Sequence, residues 1–166
     1  EHARPLATDT SPAVRREVAL ALRDVPLPQS RELLLTVARG YDGTDRAYLE
    51  AWGTGCTGKE AAIYAALAAT APGKDPLQWP LAYANLIWRL TPVGAECAFA
   101  ARAAATTLPE KDRLAAVTAL GFIPIREAAG ALLDLAQKAT GRVRDHALWW
   151  ILNYKDSRWK DQGIDA

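Results

Sequence analysis

The 166-residue chain is long enough for a sizeable core, and half of it is hydrophobic. Its 20 Lys and Arg against 19 Asp and Glu leave a net charge of +1, without the basic excess by which nucleic-acid binders neutralise phosphates. Two well-separated cysteines, Cys56 and Cys97, make neither a disulfide framework nor a metal cluster, and no apolar run reaches the roughly 18 residues of a membrane span. The chain has no Met and opens on Glu1 without an apolar leader, so we expect a piece of a longer protein.

Ala fills 34 positions, with Leu, Arg and Glu abundant, while Val and Ile never alternate as in strands. The expectation is all-helical. Residues 1–10 read as the remnant of a preceding helix or linker. Ser11 caps and Pro12 opens the next helix, with Val14, Val18, Ala21, Leu22 and Val25 on its apolar face. Pro26 ends it, Pro28 starts another with Leu33, Leu34, Val37 and Ala38 inward, and Gly40 stops that one. This helix-turn-helix unit recurs. Helices are expected over 44–52 and 59–70, over 78–90 and 93–107, and over 109–122 and 124–140. A fifth first-type helix spans 142–154, and 157–166 reads as a polar tail.

The first helices of these pairs superimpose in sequence. Arg15 with Leu22, Arg113 with Leu120, and Arg144 with Ile151 each set an Arg seven residues before an apolar residue. Asp45 with Trp52 fits the same frame, whereas the third pair fits it poorly. The offset of 98 from Arg15 to Arg113 is three units of about 33 residues, a helical-repeat period. A lone amphipathic pair cannot bury its face, so such units stack. The expected fold is therefore one all-α domain over 1–166, a right-handed α-α superhelix of about four helix pairs plus an extra terminal helix.

Chemistry-bearing motifs have plainer explanations. Gly53-Thr54-Gly55-Cys56-Thr57-Gly58-Lys59-Glu60 spells both G-x-G-x-x-G and G-x-x-x-x-G-K, but a helix and not a strand precedes it. Glu60 also stands where a phosphate loop needs a hydroxyl. It reads as a turn. Neither cysteine begins C-x-x-C-H, and His2 and His146 lack a second ligand at helical spacing. Asp42, Asp45 and Glu50 suit the first turn of a helix, and Ser11, Ser30 and Ser157 read as caps or loop residues. No catalytic residue, cofactor, metal or small-molecule ligand is assigned. Among six tryptophans, Trp52, Trp79, Trp88, Trp149 and Trp150 are placed on helices and Trp159 on the tail. Trp149 and Trp150 diverge by about 100°. With Trp159 they are the candidate interface, Trp being frequent at binding hot spots.

Three stretches carry a resemblance: Pro12-Ala13-Val14-Arg15-Arg16-Glu17-Val18-Ala19-Leu20-Ala21-Leu22-Arg23; Tyr41-Asp42-Gly43 leading to Tyr48-Leu49-Glu50-Ala51; and Leu148-Trp149-Trp150-Ile151-Leu152-Asn153 with Lys155-Asp156 and Trp159-Lys160-Asp161. Together they resemble the HEAT-repeat region of large bacterial membrane-bound dehydrogenases that carry a haem-binding domain. The resemblance implies a HEAT-like spacer between a sorbosone-dehydrogenase-like propeller and a c-type cytochrome domain, in an extracytoplasmic redox protein whose cofactors lie elsewhere. The expected function is a non-catalytic scaffold whose partners are flanking domains or another protein, without nucleic acid or membrane insertion. The alternative is a HEAT-like DNA-repair glycosylase or another nucleic-acid-binding solenoid; a HEAT-type bilin lyase is an analogy of fold alone.

Overall fold

The computed structural model describes residues 3–162, so His2 and the last four positions of the expected tail lie outside the described residues. Among the described residues there are ten α-helices and no strand. None of these helices is long and apolar enough to cross a membrane. The helices fall into two compact units.

The first unit comprises the described residues up to 72 and residues 80–92. It holds α1 (Ala3–Ala7), α2 (Pro12–Ala21), α3 (Leu27–Arg39), α4 (Arg46–Gly55), α5 (Glu60–Ala69) and α6 (Leu81–Leu90). Local chemistry sets several boundaries. Pro12 and Pro28 occupy first turns, where a missing N–H costs nothing, and the Asp45 carboxylate caps α4 by accepting from Tyr48 N at 2.9 Å. Ser11 takes the N-cap position of α2 but makes no side-chain cap bond. Thr91 ends α6 in the left-handed region, φ 45°, a conformation strained for a β-branched residue, immediately before Pro92.

Helices of this unit pack in two rows: α2 on α4 and α4 on α6, with α1 on α3 and α3 on α5. The core holds Leu34, Val37, Tyr48, Leu49, Trp52, Ile63, Ile87 and Leu90, and polar side chains tie it to helix ends. Trp52 Nε1 donates to Leu34 O at 2.9 Å, and Tyr48 OH donates to Val37 O at 2.6 Å. The Arg15 guanidinium, stretched over the Tyr48 ring, donates to that hydroxyl and to the carbonyls of Asp9 and Gly40. A side chain on Gly40 would collide with this guanidinium, so Gly40 ends α3 by providing room, its φ being an ordinary −85°.

The second unit comprises residues 73–79 and the described residues from 93 on. Its helices are α7 (Glu96–Ala104), α8 (Glu110–Phe122), α9 (Arg126–Lys138) and α10 (Gly141–Tyr154), with 3₁₀ turns over Pro76–Gln78 and Lys160–Gln162. Here too α8 packs on α10 and α7 on α9. Small residues face inward on each helix, Ala103, Ala116, Ala119, Ala128, Ala129 and Ala147 among them, which lets the helices approach closely. Trp79 sets its ring edge-on to Phe99, and buried Arg102 donates to Pro76 O at 2.5 Å, holding the 3₁₀ turn on α7. The division between units falls inside the third helix pair, between α6 and α7, the pair whose repeat frame fits poorly in sequence.

Several expectations are corrected. Ala21 is exposed and Ala19 takes its place in the core, because α4 comes up against the Ala19 carbonyl. Helix α4 does not stop at Trp52 but runs on through Gly53 and Gly55. Trp79 lies beyond a 3₁₀ turn in extended backbone and not on a helix. Ser30 is buried within α3, its hydroxyl directed at the carbonyls of Val25 and Pro26. The segment after α10 is more than a polar tail. Trp159 is completely buried with Nε1 donating to Ile123 O at 3.2 Å, while Arg158 lies over the rings of Phe122 and Tyr154 and donates to Phe122 O.

Candidate interaction surface

Of the three candidate interface tryptophans, Trp149 and Trp150 are on α10 and Trp159 follows it. Gly141, at φ +59°, turns the chain into the helix. From there Val143, Ala147, Trp150 and Ile151 recur on the inward stripe. Trp150 is 4% exposed and Trp159 0%, so both rings belong to the core, where a partner cannot reach them. Trp149 alone is surface, 47% exposed, and one turn further on Leu152 is 67% exposed on the same side. The two adjacent indoles meet edge to face at 5.2 Å, as the rotation between neighbouring helical residues requires.

The α8–α10 joint explains why Trp150 is inside. Its indole lies flat over Gly121, where a Cβ would fall within the ring, and meets Phe122 edge-on. The indole N–H donates to His146 Nε2 at 3.3 Å, and the Thr118 hydroxyl contacts the same nitrogen at 2.9 Å. An indole N–H can only donate, so Nε2 accepts in that contact, whereas the Thr118 hydroxyl, which also donates to Leu114 O at 3.1 Å, meets the same nitrogen in a role set by the tautomer. Burial, reinforced by the Arg142 guanidinium, pushes the His146 pKa down and favours the neutral ring. His146, Trp149, Thr118, Arg142 and Asp145 line a shallow cavity of about 520 Å³. Among the described residues no three His, Cys, Asp or Glu side chains are grouped to hold a metal ion.

A homologous joint occurs in the first unit. Gly53 on α4 receives the Arg89 guanidinium of α6, again where a Cβ would collide, and Glu50 one turn earlier binds the same guanidinium at 2.7 Å. Gly53 and Gly121 are 68 positions apart, and each stands eight residues after the Asp45/Arg113 position of the sequence frame. Thus Glu50 with Gly53, and Thr118 with Gly121, form the seat on which the next helix of the row rests. The same two places on α10 are Trp149 and Leu152. Thr118, Gly121 and Leu152 were not candidates in the sequence, although the Arg113-to-Arg144 offset of 31 carries the first two onto Trp149 and Leu152.

The sequence matches no protein-family model and no curated protein.

The remaining motif residues are engaged structurally. Lys59, last residue of the G-x-x-x-x-G-K string, is buried, and its ammonium donates to the carbonyls of Leu22, Arg23 and Gly55 at 3.1, 2.6 and 3.0 Å. These oxygens are at the C-terminal ends of α2 and α4, where a cation complements the helix dipoles. Gly55 lies against the Ala19 carbonyl too closely for any side chain. Cys56 beside it is fully buried, and burial pushes its thiol up to about 12, although Lys59 pulls the other way. Cys97 is exposed. Asp42 accepts from the N–H groups of Asp45 and Thr44, which hold its carboxyl below its ordinary pKa, and Glu50 pairs with Arg46 and Arg89.

Two further grooves lie one in each unit. One of about 540 Å³, between α7 and α9, is walled by Ala100, Ala104 and Ala131 with Arg113, Asp134 and Lys138 at its rim. The other, about 620 Å³, is formed by α3, α5 and α6 around Leu35, Tyr83 and Leu86.

Proposed function

We propose that this chain is a non-catalytic docking module, a stretch of HEAT-like right-handed α-α superhelix that holds flanking domains or another protein in place. The observation that carries the reading is the repeated joint. In each unit a helix presents a glycine, preceded one turn earlier by a polar residue, to one large side chain from the next helix of its row. Two such joints 68 residues apart fit the stacking of like units. Its polar groups work within the fold: Lys59, Arg15 and Arg102 bind main-chain carbonyls, and Asp45 caps a helix. Together with the HEAT-like stretches of the sequence, this favours a spacer in a larger extracytoplasmic redox protein.

Low-concentration X-ray scattering with circular dichroism tests the reading. An elongated profile and high helix content are expected, together with no visible band after incubation with haem. A compact profile or a haem spectrum overturns it. Salt-dependent retention of lesion-bearing DNA would transfer the chain to the glycosylase class.

A further inference from the structure

The grooves of the two units are built alike. A single offset of 65 carries Leu35 on α3 to Ala100 on α7, and Ala66 and Thr70 on α5 to Ala131 and Leu135 on α9; all six line the grooves. Buried leucines give both an apolar floor, Leu35, Leu67 and Leu86 in the first unit and Leu135 in the second. The rims agree in charge. Each has one carboxylate already held by a cation, Glu32 by Arg31 at 3.1 Å and Asp134 by Lys138 at 2.9 Å. One guanidinium is left over in each. Arg39 is exposed and makes no ion pair among the described residues, and Arg113 donates through Nε alone, to Ala103 O at 3.0 Å.

Both grooves open towards the C-terminal ends of helices, where bare carbonyls would repel an anion. Side chains cover those ends. Tyr48 and Arg15 donate to Val37 O and Gly40 O at the end of α3, Tyr83 to Leu67 O on α5, and Arg113 to Ala103 O on α7. An apolar trough with a surplus positive charge is complementary to an apolar group that carries a carboxylate beside it. Small ligands are held by burying most of their surface, which a trough open along one side does not do. It suits a side chain that its own protein supports from outside.

We infer that each groove receives an acidic, extended segment of a partner protein, an apolar side chain on the leucine floor and the neighbouring carboxylate on Arg39 or Arg113. The inference rests on the docking-module reading and names the chemistry of the partner. The chain then holds such segments at two like places, one per unit.

Amide shifts of the isotope-labelled full chain test it, with a capped peptide of leucine–aspartate pairs spaced by glycine as the probe. Saturable shifts are expected around Leu35 and Leu67 and around Ala100 and Leu135, and none when lysine replaces aspartate in the probe. Arg39→Glu should weaken binding at the first groove about fivefold at low ionic strength, less as salt screens the pair, and leave the second unchanged. Ala104→Glu, at the position 65 residues on, should do the converse. Both residues are exposed, and the undisturbed remainder of the spectrum checks that each variant folds. Equal binding of the lysine peptide, shifts confined to other surfaces, or variants without effect overturn the inference. So does octanoate shifting the grooves where the peptide does not, which would make them small-acid sites, or shifts on concentrating the chain alone, which would give them to a second copy. An elongated chain that ignores the peptide defeats this inference only, whereas a compact scattering profile defeats the docking-module reading itself.

Discussion

Two polar side chains show how individual residues are committed to the fold. Lys59 has three main-chain carbonyls around its ammonium, and replacing it by an apolar side chain would leave those oxygens buried without their donor. Lys59→Met is therefore expected to lower stability by about 3 kcal/mol, allowing about 1 kcal/mol for each lost bond. Urea unfolding would register this as a reduced midpoint with unchanged slope. An unaltered midpoint would mean that the ammonium is hydrated and not engaged. His146 makes the second case. Its folded pKa lies below the ordinary 6.5, so between the two values the unfolded chain binds more protons than the folded one. Stability from this group is complete above the unfolded value and is lost as pH falls towards the folded one. The urea midpoint should rise between mildly acidic and neutral pH, and His146→Gln should remove that part of the rise. A His146→Gln profile that parallels the original would show that other groups cause it.

At the scale of helices, packing decides what sequence patterns leave open. Periodicity locates the helices well, and their observed bounds differ from the expected ones mostly by a few residues at fraying or proline-bounded ends. It fails where glycine is helical. Gly53 and Gly55 look like a turn because glycine is a poor helix former, yet both are inside α4 because Arg89 and the Ala19 carbonyl occupy the space of their missing side chains. Gly121 and Gly130 make a contrasting pair for experiment. A methyl group at Gly121 would intrude on the Trp150 ring, so Gly121→Ala should destabilise by roughly 2–3 kcal/mol. Nothing lies near Gly130 on exposed α9 surface, and Gly130→Ala should stabilise by about 0.5–1 kcal/mol. Thermal melts of the two variants should move in opposite directions; a shared direction would deny the close approach of α8 and α10.

For each unit as a whole, the deciding quantity is how its last segments are covered. Arg158 and Trp159 bring the residues after α10 back to Phe122 and Ile123, where the indole is completely buried. Trp159→Ala should cost about 3–5 kcal/mol, as for other buried aromatic truncations, whereas Trp149→Ala, at a half-exposed ring, should cost far less. Parallel urea titrations would compare them. Equal losses would contradict the assignment of Trp159 to the core and Trp149 to the surface. Of the three indoles suggested by sequence, this arrangement leaves one available to a partner and adds Leu152, which composition does not distinguish from any other leucine.

By itself the sequence determined the helical class and the order of the helices, because these follow from side-chain spacing and from proline and cap positions along the chain. It also separated the glycine-lysine string from a phosphate loop, since the residues flanking that string have the wrong chemistry. Only tertiary structure decided which side of each helix is covered and by what. Trp149 and Trp150 are indistinguishable in composition and adjacent in sequence, and their fates differ because Gly121, from another helix, opens a space for one ring and not for the other. Trp159 was unreadable for the same reason: its burial depends on Ile123, 36 residues earlier, and contacts across that distance leave no local periodic signal.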